Sequence, residues 1–399
     1  MILTQCAVCA TELGLSLGKK CGRCSTRYCG PECQVQHWKE GGHDNICKKI
    51  KKAGGAEQYN ANTKYTEAVA VAAKACAEDT KGQTCYICTQ AVHWKTKEGL
   101  VRMCACRGTA GFAHVSCLAE QAKILVEEAE ENNLDIKRKV QLNRWHSCSL
   151  CEQKYHGVVR CALGWACWKT YAGRPETDST RLYAINQLGN GLSSADHNED
   201  ALSVRETQLA LVRHLCPTDE ESMLTTQSNL AIAYKKVGRL DQATRTRGGV
   251  YFGHLKLSGK EHKSTLIAAS NYASGLMDLQ HFEQAKSLLH KTMPVARRVL
   301  GESHALTLGM RRNYARALRK DPAATLDDVR EAVTRLEDLE RTARRVLGGT
   351  NPFVMGVEHE VEASRAALRR DGYWREETAP GDVSSLREAM EAMMSGDAK

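Results

Sequence analysis

The 399-residue chain has no long apolar run. Its best stretch, Val158 to Trp168, is short and holds Arg160. That is far from the roughly 18 to 20 apolar residues of a membrane-spanning helix, so no membrane partner is expected. The opening segment, MILTQCAVCA, has neither a basic n-region nor a long apolar h-region, so a secretory signal peptide is not expected either. Aromatic residues make up only 6% of the chain and do not interleave with basic ones. A base-stacking platform is therefore missing, and nucleic acid is not an expected partner. The net charge is +9, yet the only local basic cluster is Lys48, Lys49, Lys51 and Lys52. That cluster reads as a weak nuclear-import or nucleic-acid patch or, more simply, as the solvated start of a linker.

Cysteine is abundant. Of 18 cysteines, 14 fall in two sets within the first 151 residues, together with two well-spaced histidines. Cys76, Cys161, Cys167 and Cys216 are scattered outside these sets. A disulfide framework belongs to secreted and usually short chains, so the expected compartment is a reducing one, cytoplasm or nucleus, with thiolates on zinc. The first set is Cys6, Cys9, Cys21, Cys24, Cys29, Cys33, His43 and Cys47. The second is Cys85, Cys88, Cys104, Cys106, His114, Cys117, Cys148 and Cys151. Zn²⁺ takes four N/S ligands, so each set of eight closes two sites and the chain calls for about four ions. A zinc closed by four protein ligands leaves no position for water, so no catalytic residue is assigned. Cys161 and Cys167 with His156 are too few for a third module and lie among apolar residues, which favours buried thiols.

The expected organisation is a first zinc module over 1–47, a linker with an Ala-rich helix over 48–84, and a second zinc module over 85–151. A connector over 152–178, helical repeats over 179–370, and a C-terminal helix and tail over 371–399 complete it. Within the second module, Leu118 to Asn143 reads as one or two helices inserted between ligand pairs. Gln187, Asn229, Asn271 and Asn313 are spaced 42 residues apart, as are Ala201, Ala243 and Ala285. Ala332 comes 47 residues later, which places about five extra residues near Asp321-Pro322. His262 and His304 form a third column at the same period of 42. Each unit then reads as a helix hairpin that buries its apolar face only by stacking on neighbours. The expected fold class is mostly α, with two small, treble-clef or RING-like zinc modules of little β content followed by an α-solenoid. The stretch from Asp382 to Met394 reads as a last amphipathic helix.

Three resemblances attach to these residues. The first set, with Tyr28-Cys29 and Cys33-Gln-Val-Gln-His37-Trp38, resembles the MYND zinc finger over residues 6–47. This resemblance implies interleaved pairing: Cys6, Cys9, Cys29 and Cys33 on one zinc, and Cys21, Cys24, His43 and Cys47 on the other. His37 competes with His43 as a ligand, and the spacing of His43 to Cys47 favours His43. It also implies docking of proline-containing peptides.

The order of the second set would suit a PHD finger. The single residue between Cys104 and Cys106, and the run Cys106-Arg-Gly-Thr-Ala-Gly-Phe-Ala-His114-Val-Ser-Cys117, instead resemble the RING-CH family over 85–151. By that resemblance Cys85, Cys88, His114 and Cys117 share one zinc, and Cys104, Cys106, Cys148 and Cys151 the other. The resemblance further implies a ubiquitin-conjugating enzyme as partner, positioned for transfer without a covalent intermediate on this chain. Ile87 and Trp145 are the candidate contacts to it. The alternatives are that Ile87 packs the module's small core and that Trp145 covers the connector. Ser149 and Glu152 stand where many RING fingers have a proline and a basic residue.

Asn229-Leu-Ala-Ile-Ala-Tyr234 followed by Gly238-Arg-Leu-Asp-Gln-Ala243 resembles tetratricopeptide repeats of the kinesin-light-chain type over about 180–370. Such repeats imply a groove for peptide or protein clients. Together the modules suggest a RING-type ubiquitin ligase, or alternatively a non-enzymatic interaction scaffold. A MYND-containing methyltransferase would need a SET domain, for which the repeats leave no room.

Overall fold

The computed structural model describes residues 6–11, 13, 18–349 and 351–378, the last of these through 370–378 by backbone alone. The expected helix from Asp382 to Met394 lies outside the described residues. The fold is mostly α-helical, and helix-hairpin repeats fill the chain after the zinc modules. It divides into two compact units, Met1–Ala243 and Thr244–Lys399.

In the first unit, β1 (Lys19–Lys20) pairs antiparallel with β2 (Arg27–Tyr28), followed by α1 (Pro31–Lys39) and α2 (His43–Lys52). The linker segment, expected to carry an Ala-rich helix, forms α3 (Ala56–Ala75), which packs and buries Ala61, Val69 and Ala72. Its alanines carry high helix propensity and allow a close approach to a neighbour. The insertion in the second ligand set forms α4 (Val115–Glu131), α5 (Asp135–Gln141) and a short 3-10 turn, Leu142–Trp145.

The expected connector forms α6 (Gly157–Tyr171), which buries residues on every face, among them Leu163, Trp165, Cys167 and Trp168. A helix apolar all round belongs in the middle of a structure. One face of α6 (Val159, Ala162, Leu163) joins Phe112, Val115 and Cys148 in the core of the second zinc module. The other (Trp165, Trp168, Tyr171) packs with Ile185 and Leu188 of the repeats. There is accordingly no gap in packing at the expected border near 178. Helix α7 (Ser179–Ser194) lies directly on α6, and α8 (Asn198–Leu215) and α9 (Glu220–Lys236) follow.

Glycine sets the α6–α7 distance. A Cβ on Gly164 would lie 2.9 Å from the Gln187 carbonyl oxygen, and one on Gly191 would lie 2.8 Å from that of Arg160. The helices meet backbone to backbone. Beside this contact Arg160 donates to Gln187 Oε1 at 2.8 Å, and Arg205 donates to Asn186, Gln208 and Asn190 at 2.5–2.7 Å.

Helix α10 (Leu240–Ser258) begins at the end of the first unit and continues into the second. The second unit holds α11 (Lys263–Asp278), α12 (Phe282–Leu300), α13 (Ala305–Lys320), α14 (Leu326–Leu347) and α15 (Pro352–Thr378). Sequential helices pack on one another around three clusters, centred on Leu266 and Leu289, on Leu276 and Phe282, and on Leu308 and Leu336. The 42-residue columns have a physical basis. Ala201, Ala243, Ala285 and Ala332 are all buried. His262 and His304 are N-caps, with Nδ1 accepting from the Ser264 and Leu306 amides at 3.3 and 3.1 Å. The extra residues near Asp321-Pro322 form a turn leading into a capping box, Thr325 with Asp328.

In an open helix, Gly→Ala stabilises by about 1 kcal/mol. Gly164→Ala and Gly191→Ala should have the opposite sign and cost about 1–3 kcal/mol by overpacking. Gly309→Ala in α13, with nothing within 4 Å of its Cβ position, should keep the ordinary sign. Urea unfolding of the three variants checks this; stabilisation by Gly191→Ala would contradict the backbone contact.

Candidate metal centres

The structure brings all sixteen candidate ligands together in four groups. Cys6, Cys9, Cys29 and Cys33 form the first, and Cys21, Cys24, His43 and Cys47 the second. Cys85, Cys88, His114 and Cys117 form the third, and Cys104, Cys106, Cys148 and Cys151 the fourth. Within each group the ligand atoms lie within 4.8 Å of one another. Each module is thus cross-braced, its ligand pairs alternating between two centres along the chain.

Four of the Cys-x2-Cys pairs sit on the same backbone turn. The amides of Cys6, Cys21, Cys85 and Cys148 donate to the carbonyls of Thr11, Thr26, Gln90 and Gln153 at 2.8–3.0 Å. Their own carbonyls accept from Ala10, Ser25, Thr89 and Glu152 at 2.8–3.1 Å. Those four donating residues all lie at φ between 56° and 62°, the left-handed region that non-glycine residues rarely occupy. The strain places two sulfurs on one side of the turn. In the second module the Ile87 and Leu150 amides point at the Cys85 and Cys148 sulfurs, each at 3.4 Å.

The spacing of the donor atoms fits zinc. A tetrahedron with Zn–S bonds of about 2.3 Å has S···S edges of about 3.8 Å. The observed pairs are Cys9–Cys29 at 3.4 Å, Cys9–Cys33 at 3.8 Å, Cys21–Cys47 at 3.8 Å and Cys106–Cys148 at 3.7 Å. His43 Nε2 lies 3.3 Å from Cys24 Sγ, and His114 Nδ1 lies 3.3 Å from Cys88 Sγ. Burial holds both histidines below their ordinary pKa, so each offers the neutral lone pair a metal requires.

Crowded thiols cannot all ionise without a cation. The hydrogen bond from Thr11 pulls Cys9 down to about 6, whereas the adjacent Cys29 sulfur pushes Cys33 up to about 12. A divalent ion removes that conflict by taking all four thiolates. The chemistry and the edges therefore fit several Zn²⁺ ions, two to each module.

Neighbouring side chains fix the ligands. Tyr28 is fully buried and its hydroxyl meets His37 Nδ1 at 3.0 Å. The His37 ring lies 4.8 Å from that of His43, outside the ligand group, so His37 braces the site through Tyr28. In the second module Tyr86 Oη and Ser149 Oγ are 2.9 Å apart and tie one ligand loop to the other. Glu98 accepts from the Ser116 amide at 2.8 Å at the start of α4, next to His114 and Cys117. Tyr28 and His37 stood inside the motif that carried the MYND resemblance. No sequence signal marked Glu98 or the Tyr86–Ser149 link.

Ile87 is 36% exposed at the edge of a groove beside α4. Trp145 is different. It is 1% exposed and meets Tyr171 edge to face at 5.6 Å between ring centroids. A side chain so enclosed offers a partner no surface, and its place is the core between α4, α6 and the repeats. Cys161 and Cys167 are buried and join no metal group among the described residues, and burial pushes the Cys161 thiol up to about 11.

Residues 6–47 match the MYND finger family. No curated protein matches the chain. Among solved structures it is similar to a putative kinesin light chain of Podosopora anserina with nearly identical TPR-like repeats. The two are 18% identical, over 58% of this chain and 97% of that one, with a TM-score of 0.40. It is also similar to BtubC (BKLC) from P. vanneervenii, 16% identical over 67% of this chain and 94% of that one, TM-score 0.37. No helix of the described residues is long and apolar enough to cross a membrane. The chain thus joins a segment that matches the MYND finger, with its ligands grouped for metal, to stacked helix hairpins.

Cys106→Ser should lower the zinc count by about one ion per chain, because a four-ligand site loses its closure. Native mass spectrometry reads this directly; an unchanged count would remove Cys106 from the ligand set. Chelation should strip amide protection from α1, α2 and the second module, since metal binding supplies the folding free energy of such modules. Helices α11 to α14, with their own cores, should keep theirs, as hydrogen exchange would show.

Proposed function

We propose that the chain is a RING-type ubiquitin–protein ligase, in which the sixteen Cys and His residues hold four zincs and the second module docks a charged conjugating enzyme. The observation that carries this reading is the cross-braced second module with Ile87, between its first two ligands, at the open edge of a groove along α4. The MYND finger and the repeats would hold the client.

The work is positioning. A client lysine amine attacks the thioester carbonyl on the docked enzyme, an amide forms and the enzyme's thiolate leaves. This chain's thiolates are committed to metal and take no part. Its contribution is to hold two proteins at a fixed distance, which a metal-tied loop does without losing conformational entropy at each encounter.

A second reading is a scaffold without transfer activity. Glu152 favours it, because that position holds a basic residue in many RING fingers. Here it carries the opposite charge and occupies the left-handed corner of its turn, at φ 58°.

Autoubiquitination with a panel of conjugating enzymes decides between them. Wild type should form chains. Cys85→Ala should lose them together with a zinc, and Ile87→Ala should lose about tenfold while keeping all four ions. Silence across the panel from fully zinc-loaded protein would leave the scaffold.

A further inference from the structure

The groove at Ile87 runs beyond the zinc module onto α3 and α6, enclosing about 890 Å³. Its apolar lining includes Tyr65, Ile87, Trp94 and Ile124. Trp94 is 69% exposed and Ile124 53% exposed, in a chain with only 6 tryptophans. Exposed tryptophan beside exposed isoleucine on one concave face is the composition of an interface anchor.

Trp94 stands on a rigid turn. The His93 amide donates to the Glu98 carbonyl at 3.0 Å, the Lys97 amide donates back to His93 at 2.9 Å, and Lys97 lies at φ 60°. This is the geometry of the four cysteine turns with no cysteine in it. The Thr96 amide donates to His93 Nδ1 at 3.1 Å and closes it further. A backbone already held in place loses little entropy when a partner covers the side chain it carries.

The charges around the groove are unbalanced. Lys95, Lys123 and Lys169 line it against the single carboxylate of Glu120. Lys123 stands 3.7 Å from Glu120 and 4.0 Å from Glu127, so its charge is offset and the positive excess rests on Lys95 and Lys169. The Lys169 ammonium sits over the Tyr65 ring, 4.3 Å from its centroid, and forms no ion pair among the described residues. Burial holds its pKa below the ordinary lysine value. The Glu98 carboxylate offsets part of that burial from a distance, and with no direct ion pair the half-buried ammonium still gains from a carboxylate arriving beside it. Lys95 is exposed and likewise without an ion pair among the described residues.

We infer that this composite groove docks an acidic amphipathic helix of a protein partner, its apolar stripe over Ile87, Trp94 and Ile124 and its carboxylates on Lys95 and Lys169. The inference deepens the docking role proposed for the second module by naming the chemistry of what docks; it rests on that role and not on ubiquitin transfer.

The test uses the zinc-loaded full chain and two synthetic helices of about 18 residues, five turns. Both carry leucine at i, i+3, i+4 and i+7; one is flanked by glutamates and its twin by lysines. Calorimetric titration should show the acidic helix binding at least about tenfold tighter than its twin. Trp94→Ala and Lys169→Gln, both accessible enough to substitute without unfolding, should each weaken it about fivefold or more. The Lys95→Glu/Lys169→Glu double variant should reverse the preference. Equal binding of the two helices, no binding by either, or affinity untouched by Trp94→Ala would overturn the inference. Those failures leave the ligase reading to the ubiquitination panel, and a silent panel with a charge-selective groove would remove the ligase reading alone.

Discussion

Tetrahedral coordination by clustered thiolates is the interaction on which the first 151 residues depend. Those residues contribute little apolar surface in the first module, whose core is Leu13, Tyr28, Ile50 and the ligand cysteines themselves. Small modules of this kind fall short of the burial that stabilises a domain unaided. The four left-handed turns at Ala10, Ser25, Thr89 and Glu152 show the cost being met locally, since each non-glycine residue there stores strain of about 1–3 kcal/mol. Metal binding, at roughly 10 kcal/mol or more for structural zinc, offsets several such turns with a wide margin.

The second module shows how a metal-tied segment becomes part of a larger body. Its zinc loops have no helix between the ligands of one turn, yet α6 seals the module on one side and the first repeat helices on its other. Gly164 and Gly191 let α6 and α7 touch at backbone distance, so position transmits between the zinc module and the repeats without a flexible joint. That coupling is what the proposed docking role would require. Tyr86 and Ser149 contribute at shorter range by tying together the two ligand loops that frame the groove edge.

Much of this was legible in the sequence for physical reasons. Two residues between cysteines are what a tight turn needs to aim both sulfurs at one ion, so the ligand pairs announce themselves. A period of 42 with alanine in a fixed column reports close helix packing, and Ala201, Ala243, Ala285 and Ala332 are indeed buried. What stayed hidden depends on tertiary partners. The Ala-rich helix within residues 48–84 was legible, but not its packing: Ala61, Tyr65 and Ala68 join the core around α6, and Val69 and Ala72 join that of the second module. Residues 157–171 look like a connector because a helix buried on all sides has no amphipathic period to detect. Trp145 was placed near a groove by its distance from Cys148, whereas the insertion formed by α4 and α5 folds it into the core. His262 and His304 stood out as a column, yet their capping role needed the backbone geometry.

The most direct test of the account is zinc K-edge absorption fine structure on the purified, metal-quantified chain. Fourteen cysteine sulfurs and two histidine nitrogens around four ions predict a first shell of seven sulfurs to one nitrogen. The expected distances are about 2.3 Å to sulfur and about 2.0 Å to nitrogen, with no bound water. A shell rich in oxygen, or a sulfur share well below that ratio, would contradict four closed centres and with them the frame on which the rest of the fold is built.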